Sequence, residues 1–492
     1  MDDASLPVFS LPENILQPLL TASNSSTLEK ALKILIDVSR SPDGRSDLAF
    51  KNVLPTVLLL CQNLCYPSAS HLLFLSLKLL RNLCAGEAAN QKSFIEENGV
   101  KIVLHVLNFV GFTSDSDYVI TRMALQVLAN VSLAGEDHQR AIWHQFFPLK
   151  FVEIARVQKR ETCDPLCMVI YACCTGSHEL IDGLSGDQGL PVMAEILQTT
   201  SAVGFGEDWF KLLLSIICLE ENQFPQLFSK LCPLDNSGNC KSVQPRGAFV
   251  SEQAFLLNVL SKILNERLGD VFVSNDFALC VLDLLRKATG VVDSVSRRKS
   301  GLPTGSTVVD VLGYSLTILR DICSCDGLGG FKEGGSVDVV DSLLSSGLLE
   351  LLLRLLHDLE PPAMIRKAMK QGENQERTTY SAKLCLYEGF RRDIVAVIGN
   401  CAYRRKRVQD EIRQRNGILL LLQQCVIDED NPYLREWGIW SVRNLLEGNA
   451  ENQKVVAELE LQGSVDVPEI AGLGLRVEVD EKTRRAKLVN VS

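Results

Sequence analysis

Leucine-rich segments with helical spacing recur along the whole chain. In LSLKLLRNL, residues 75–83, Leu75, Leu79 and Leu83 stand four residues apart and so share one face of a helix. In GLLELLLRLLHDL, residues 347–359, apolar residues cover most of the helix circumference, which suits a helix packed between neighbours. One pair of such helices cannot bury these surfaces, whereas a stack of pairs can. The pattern therefore predicts an all-α chain of stacked repeats.

The same polar motif follows several of these helices. Residues 81–92 read RNLCAGEAANQK and residues 443–454 read RNLLEGNAENQK, so that eight of twelve positions agree. Fainter copies lie at residues 124–143 and 394–412. In each copy an apolar helix ends near an asparagine, and a glutamine follows nine residues later. The pairs are Asn82 and Gln91, Asn130 and Gln139, Asn400 and Gln409, and Asn444 and Gln453.

Weaker copies fill the gaps, with other residues at the asparagine position in several of them. Taking that position as the anchor of each copy, the anchors fall at positions 37, 82, 130, 173, 216, 265, 321, 400 and 444. Most neighbouring anchors are about 45 residues apart, a spacing typical of armadillo and HEAT repeats. We therefore predict an armadillo/HEAT-like right-handed α-solenoid of about eight or nine units.

The two longest gaps between anchors require insertions. Polar segments rich in Gly or Pro near 294–306 and at 361–382 fit that role. We predict helical repeats over residues 1–387 and a C-terminal domain over residues 388–492 that holds the last two repeats and a tail. In the tail, apolar residues alternate with charged ones from Leu475 to Val479, and AKLVNV follows after a polar turn. This pattern predicts a short β-hairpin, which we expect to cap the last repeat.

Composition narrows the function classes. The net charge of −10 makes general affinity for nucleic acid unexpected, because such binding draws on Lys and Arg. The 16 cysteines are scattered through apolar helical stretches, which indicates buried thiols in a reducing compartment. The first twenty residues are acidic and interrupted by prolines, unlike a signal peptide, and no apolar run reaches 18 residues. We expect a cytosolic protein that does not bind membranes.

Two parts of the chain resemble known families. RNLCAGEAANQKSFIEENGV is similar to the armadillo signature that joins a third helix to the next repeat. Three segments of residues 388–491 together resemble the C-terminal domain of ataxin-10 proteins: FRRDIVAVIGNCAY, DEDNPYLREWGIWSVRNLLEGNAENQKVV and LGLRVEVDEKTRRAKLVNV. The resemblance implies a cytoplasmic α-solenoid scaffold without a catalytic site, connected with cell division and with protein-modifying partners.

The segment NPYLREWGIWSVRNLL holds the candidate partner-binding residues. We expect its helix to begin with Pro432 in the first turn, capped by Asp430 or Asn431. On that helix Trp437, Trp440, Ser441 and Asn444 share one stripe.

A second stripe on the same helix, formed by Ile439, Val442 and Leu446, is expected in the core.

The tryptophan stripe has two interpretations. In armadillo proteins the third helix lines a concave groove, and its asparagine can hold the backbone of a bound peptide. On that interpretation Trp437, Trp440 and Asn444 are exposed, as are Asn82, Asn130 and Asn400. In the alternative, the asparagines bond neighbouring backbone groups and the tryptophans pack between helices.

The spacing of Trp440 and Asn444 also resembles that of importin-type carriers of basic peptides. The residues four positions before the other anchor asparagines are Lys78, Gln126 and Ala396, and none of them is tryptophan. The repeated ladder of such carriers is therefore missing.

The densest basic run is Arg404, Arg405, Lys406 and Arg407. It is either a patch for an acidic partner or a localisation signal, or a solvated loop between two helices.

The cluster from Cys163 to His178 suggests a metal site at first sight. However, Cys163, Cys167 and Cys174 fall on one helical face, which is typical of a core stripe and lacks the paired spacing of structural zinc sites. No motif for a phosphate loop or a catalytic triad is present. We therefore expect no metal, no cofactor and no enzymatic activity.

The leading hypothesis is a scaffold that binds protein partners along its groove or through its insertions. The alternative is a nuclear-transport-type adaptor for basic peptides. A homo-oligomer is compatible with either, and so is access to the nucleus.

Overall fold

The computed structural model covers most of the helical part of the chain. It describes residues 25–112, 114–204, 206–232, 249–267, 270–292, 300–324, 338–366, 383–459, 475–479 and 486–490. By the density of its internal contacts the chain divides into a first unit, Met1–Lys287, and a second unit, Ala288–Ser492.

The first unit consists of helices in its described residues. They are α1 (Ser25–Val38), α2 (Pro42–Phe50), α3 (Leu54–Asn63), α4 (Ser70–Leu83), α5 (Ala88–Glu96), α6 (Gly99–Phe109), α7 (Asp115–Ser132), α8 (Glu136–Phe146), α9 (Leu149–Ala155), α10 (Arg160–Cys174), α11 (His178–Ser185), α12 (Gly189–Val203), α13 (Asp208–Ser215), α14 (Phe224–Lys230), α15 (Ser251–Glu266) and α16 (Asn275–Val291). Helix α13 continues into a π-helical turn, Ile216–Glu220. Helix α16 runs across the boundary into the second unit.

The second unit contains further helices and one hairpin. They are α17 (Thr307–Ser324), α18 (Val339–Ser345), α19 (Leu348–Asp358), α20 (Phe390–Ala402), α21 (Lys406–Gln414), α22 (Gly417–Leu422), α23 (Leu434–Leu446), α24 (Ala450–Ala457), β1 (Leu475–Val479) and β2 (Ala486–Asn490).

The helices follow the armadillo plan of a short first helix, a second helix and a longer third helix. The third helices stack side by side: α1, α4, α7, α10, α13 and α15 in the first unit, and α17, α20 and α23 in the second. All nine predicted anchor positions fall within these helices or the π-helical turn. Their apolar faces form the core, as the leucine spacing predicted. The all-α, armadillo-like solenoid fold is thus confirmed.

Four of the anchor asparagines bond the third helix that precedes them. The side-chain amide of Asn130 donates to the Arg81 carbonyl at 2.9 Å, and that of Asn444 donates to the Gly399 carbonyl at 3.0 Å.

Two further anchor asparagines bond in the same register. Asn400 donates to the Arg320 carbonyl at 3.0 Å, and Asn82 donates to the Ile36 carbonyl at 3.4 Å. The acceptor in all four bonds is the residue immediately before the preceding anchor. Carbonyls in the last turn of a helix lack partners within the helix, so at Arg81 and Gly399 these bonds satisfy groups that packing would otherwise leave unpaired.

The glutamine nine residues after these four asparagines extends the same pattern. The side-chain amide of Gln409 donates to the Ala402 carbonyl of its own repeat and to the carbonyls of Asn444 and Glu447 in the next third helix. Gln91 likewise bonds the carbonyls of Cys84 and Asn130. The repeated glutamine therefore ties the ends of two successive third helices to the first helix between them.

The Asn-Gly pairs at the junction of the first and second helices also have a local cause. Asn98 and Asn416 adopt left-handed backbone conformations with φ of 55° and 57°, a region in which asparagine is enriched. A Cβ at Gly99 would lie 2.6 Å from the Phe94 ring, and one at Gly417 would lie 2.7 Å from Ile412. The turn therefore requires a residue that tolerates positive φ, followed by one without a side chain.

The C-terminal tail forms the predicted hairpin. Strands β1 and β2 pair antiparallel, with Val477 opposite Leu488 and Val479 opposite Ala486. The expectation that this hairpin caps the last repeat stays a prediction.

The predicted domain boundary at residue 388 lies inside the second unit, and that division stays a prediction. Parts of the predicted insertions, residues 294–299 and 367–382, lie outside the described residues. Among the helices that are described, none combines the length and hydropathy needed to cross a bilayer.

The role assigned to the repeated glutamine can be tested at Gln409. A Gln409→Ala variant loses a buried donor to three carbonyls, and we expect its free energy of unfolding to fall by about 1–3 kcal/mol. Gln453 is the matched control, because its amide is exposed and donates only to the Leu446 carbonyl among the bonds described. Urea denaturation followed by circular dichroism should show a much smaller change for Gln453→Ala. Equal losses of unfolding free energy in the two variants would contradict the role assigned to the repeated glutamine.

Candidate partner-binding groove in the second unit

Helix α23 begins later than predicted. It starts at Leu434, and Tyr433 at its N-cap adopts a left-handed conformation with φ of 63°. The expectation that Asp430 or Asn431 caps a helix with Pro432 in its first turn was therefore wrong. The Asn431 side chain is already used: it accepts from the Arg391 backbone N–H at 2.9 Å and donates to Asp428 at 3.1 Å.

The stripe of Ile439, Val442 and Leu446 on α23 was expected in the core, and this expectation was wrong at Ile439. Ile439 is 56% exposed, and Val442 and Leu446 are only partly buried. The reason is the place of α23 in the stack. It packs against α20 on one side, and no further third helix follows it among the described residues.

The tryptophan stripe divides into a buried edge and an exposed edge. On the buried edge, the Ser441 hydroxyl donates to the Val395 carbonyl at 3.0 Å, and Asn444 is 1% exposed. On the other edge, Trp440 is 45% exposed and Trp437 is half-buried.

The close approach of α20 and α23 depends on Gly399. A Cβ at this position would lie 3.0 Å from the Ser441 Cα and closer still to the Ser441 hydroxyl.

The exposed edge lines a groove of about 560 Å³ that runs across the C-terminal ends of α17 and α20 to α23. Its lining residues are Cys323, Ser324, Asn400, Tyr403, Glu436, Trp437, Trp440 and Asn444. Three successive third helices thus contribute to one surface. Groove lining is the interpretation of the tryptophan pair that this geometry favours.

Asn444 sits in the groove with half of its carboxamide unused. Its amide nitrogen donates to the Gly399 carbonyl, whereas its Oδ1 is buried without a hydrogen-bond partner in the described structure. The groove interpretation expected an exposed asparagine, and that was wrong: the side chain is held by α20 and only its oxygen is left over. A buried carbonyl oxygen without a partner is costly, and an N–H or O–H donor would offset that cost.

The other predicted asparagines are distributed over the fold. Asn400 lines the same groove and is buried, while Asn82 and Asn130 belong to the first unit and are partly buried. The amide group of each of the three donates to a carbonyl of the preceding third helix. Whether any of them contacts a partner stays a prediction.

The basic run 404–407 is a turn that leads into a helix. Arg404 has a φ of 54°, and its guanidinium lies 5.0 Å from the centre of the Tyr403 ring. Arg405 is held by Asp338 at 3.1 Å, and Lys406 and Arg407 begin α21 as exposed side chains. Only part of the run is therefore a solvated loop, and its binding role stays a prediction.

The cysteines of the Cys163–His178 segment, which suggested a metal site, are core residues. Cys163, Cys167 and Cys174 are buried in α10, and His178 is exposed at the start of α11. Burial raises the pKa of the Cys163 thiol to about 12 and the pKa of Cys167 well above its usual value. These thiols are therefore protonated at neutral pH, which fits the predicted core stripe.

Sequence reasoning missed the groove residues that come from neighbouring repeats. Ser324 and Tyr403 each stand three residues after an anchor, at positions 321 and 400, and both line the groove. The shared distance from the anchor is the signal that would have found them. Cys323 also lines it, with its sulfur 3.6 Å from that of Cys401.

The chain is similar to several known proteins. Residues 390–489 match the family model described as the spinocerebellar ataxia type 10 protein domain. Ataxin-10 of Bos taurus is 24% identical over 473 residues, covering 91% of each chain. Ataxin-10 of Homo sapiens is 24% identical over 418 residues, covering 82% of this chain and 78% of the relative. An ataxin-10 homolog of Dictyostelium discoideum is 39% identical over 94 residues, covering 19% and 15% of the respective chains.

A designed armadillo repeat protein matches over 52% of this chain and all of its own, at 14% identity and a TM-score of 0.32.

Stacked three-helix repeats with a polar groove on their third helices define an armadillo-like repeat protein. Residues 390–489 match the ataxin-10 domain, and most of the chain is similar in sequence to ataxin-10 proteins.

The structural role of Asn444 can be tested by its removal. We expect Asn444→Ala to lower the free energy of unfolding by about 1–3 kcal/mol, because the Gly399 carbonyl then loses its partner inside the protein. Asn82→Ala is a suitable comparison, since Asn82 is only partly buried and its bond to the Ile36 carbonyl is long. Chemical denaturation should rank Asn444→Ala as the more damaging change. An unchanged denaturation midpoint for Asn444→Ala would show that its bond to the Gly399 carbonyl does not stabilise the fold.

The close approach of α20 and α23 predicts a second effect. Gly399→Ala forces these helices apart, and we expect a loss of about 1–3 kcal/mol from overpacking. The same substitution at Gly290 in α16 meets no atom within 4 Å and should instead stabilise by up to about 1 kcal/mol through better helix propensity. Thermal melting of both variants should show shifts of opposite sign, and a stabilised Gly399→Ala protein would be incompatible with this packing.

Proposed function

We propose that this protein is a non-enzymatic scaffold that binds protein partners, and that the groove of α17, α20 and α23 holds an extended segment of one of them. The observation that carries the proposal is the pair of tryptophans on the rim of this groove. A 45% exposed Trp440 beside a half-buried Trp437 leaves a large aromatic surface in water. Tryptophan is favoured at the centres of binding interfaces, where its burial contributes strongly to affinity.

The buried Oδ1 of Asn444 supports the same proposal from the polar side. A backbone N–H of an extended segment is a donor of the kind that this oxygen lacks. The groove therefore combines apolar contact area with a fixed acceptor, which is the pattern expected of a specific binding site.

The chemistry of the groove favours binding over catalysis. Cys323 is its one thiol, and the hydrogen bond with Cys401 and burial hold the pKa of Cys323 well above its usual range. A nucleophilic cysteine requires the opposite shift.

The resemblance to ataxin-10 proteins supports a finer form of the proposal. In that form the scaffold acts in the cytosol, in connection with cell division, and its partners include protein-modifying enzymes. No membrane or nucleic-acid partner is part of the proposal, and access to the nucleus is compatible with it.

The alternative, an adaptor for nuclear transport, rests on the spacing of Trp440 and Asn444 on one groove-lining helix. Such an adaptor repeats the pair along its groove, whereas Ala396 stands at the corresponding position of α20. Co-purification with transport factors would favour the adaptor, and co-purification with cytosolic enzymes would favour the scaffold.

The test removes the side chains of Trp437 and Trp440 from the rim of the groove. Partners are first identified by affinity purification with mass spectrometry, and the affinity of a purified partner is then measured for each variant. We expect Trp437→Ala/Trp440→Ala to lose about 2 kcal/mol of binding free energy, or roughly thirtyfold in affinity, while remaining folded.

Ile439→Ala is the matched control. Ile439 is exposed on the same helix but does not line the groove, so this variant should bind like the wild type. If the double variant retains full affinity for every partner, the groove is not the binding site. If it unfolds, the tryptophans are structural and the proposal fails at this surface.

A further inference from the structure

Three hydroxyl residues of the chain follow a pair of basic residues at the same spacing. Thr162 in KRET, Thr289 in RKAT and Ser300 in RRKS each have Lys or Arg both two and three positions before them. A class of serine/threonine kinases selects its substrates by positive charge at these two positions. The sequence therefore contains three equivalent candidates for phosphorylation, and the structure distinguishes them.

Thr162 is inaccessible in the folded chain. It is 2% exposed in the first turn of α10, and its hydroxyl donates to the Lys159 carbonyl at 2.9 Å. Phosphoryl transfer requires the catalytic aspartate of the kinase to accept the proton of the substrate hydroxyl. A buried hydroxyl that already donates a hydrogen bond does not meet this requirement.

Thr289 is held in a helix. It lies in α16, two residues before the helix ends, and is partly buried. Side chains two positions apart on a helix do not face the same side. One kinase cleft therefore cannot contact Lys287 and Thr289 together until the end of α16 unwinds.

Ser300 differs from both threonines. It is exposed, lies outside the helices, and begins the described segment that leads into α17. Its hydroxyl has no hydrogen-bond partner among the described residues. Its carbonyl accepts from the Glu388 backbone N–H at 3.2 Å, so the main chain is held while the hydroxyl stays available.

The contacts that fix this segment lie after Ser300 in the sequence. Leu302 packs against α17 so closely that a Cβ at Gly313 would lie 2.6 Å from its side chain. Thr304 is buried, and its hydroxyl donates to the Asp310 carboxylate at 2.8 Å. The basic residues that a kinase of this class reads come before Ser300, so these contacts do not involve them.

We propose that Ser300 is a phosphorylation site for a serine/threonine kinase that recognises Arg297 and Arg298. The Ser300 Oγ forms a bond to the γ-phosphorus of ATP as the bond from that phosphorus to the β-phosphate oxygen breaks. ADP leaves, and the hydroxyl proton passes to the catalytic aspartate of the kinase. The phosphoserine carries about 1.5 to 2 negative charges, which offset much of the positive charge of Arg297, Arg298 and Lys299. This inference is independent of the partner-binding groove.

The experiment uses the full chain, Mg²⁺-ATP and the purified catalytic subunit of cyclic-AMP-dependent protein kinase as the probe. The initial rate of phosphate incorporation is measured, and the modified residue is located by mass spectrometry. The variants are Ser300→Ala and Arg297→Ala/Arg298→Ala. The charge-matched control is Arg286→Ala/Lys287→Ala, because both residues are exposed on α16 and belong to the Thr289 motif. Circular dichroism verifies that each variant is folded, and a peptide of residues 294–306 serves as the unfolded reference.

We expect the kinase to modify Ser300 in the folded chain and to leave Thr162 and Thr289 unmodified. Ser300→Ala removes the acceptor, and Arg297→Ala/Arg298→Ala removes charge-assisted contacts to the kinase, so each should lower the initial rate by about tenfold or more. The control variant should be phosphorylated at the wild-type rate.

Several results would overturn the proposal. Phosphate on Thr162 or Thr289 in place of Ser300 would show that the wrong acceptor was assigned, and so would a Ser300→Ala chain that is modified at the wild-type rate. If the peptide is phosphorylated but the folded chain is not, Ser300 is inaccessible in the fold. If neither is phosphorylated, the RRKS sequence is not recognised.

The control variant tests the recognition element. If Arg286→Ala/Lys287→Ala slows phosphorylation as much as Arg297→Ala/Arg298→Ala does, the arginine pair before Ser300 is not what the kinase reads, and the proposal is wrong. None of these results bears on partner binding at the groove, which is measured separately with the tryptophan variants.

Discussion

The carbonyl groups at the ends of the third helices are the constraint on which the repeat depends. A helix leaves its last carbonyls without internal partners, and stacking the helices removes them from water. Asparagine on one side and glutamine on the other supply the missing donors, as at Gly399 and Asn444. The polar motif of the repeat is therefore the condition that allows the apolar faces to be buried.

The same bonds govern what the groove can offer a ligand. An anchor asparagine that bonds the preceding helix is fixed in orientation, because its nitrogen must face that helix. At Asn444 this leaves an oxygen buried in the groove without a partner. The bond to α20 thus sets the orientation of the carboxamide, and its oxygen is the polar atom left over at the groove.

Local patterns in the sequence predicted the repeat, because leucine spacing and the recurring Asn and Gln reflect contacts that recur in several units. They failed where a residue depends on its particular place in the stack. Ile439 has helical core spacing but is exposed, because α23 is followed by no third helix among the described residues. Asn431 looks like a helix cap but bonds Arg391, 40 positions away. The full lining of the groove was not predicted for a related reason. Tyr403 and Trp440 come from different repeats, and a local pattern does not show that they line one surface.

The bond between Asn400 and the Arg320 carbonyl has a consequence for how such a chain tolerates change in length. Its partners are 80 positions apart, whereas those of Asn444 and Gly399 are 45 apart, yet both bonds measure 3.0 Å. Extra residues between two anchors therefore leave the geometry of their contact unaltered. Over evolutionary time, or in an engineered fusion, new sequence can enter between α19 and α20 without altering this bonded register.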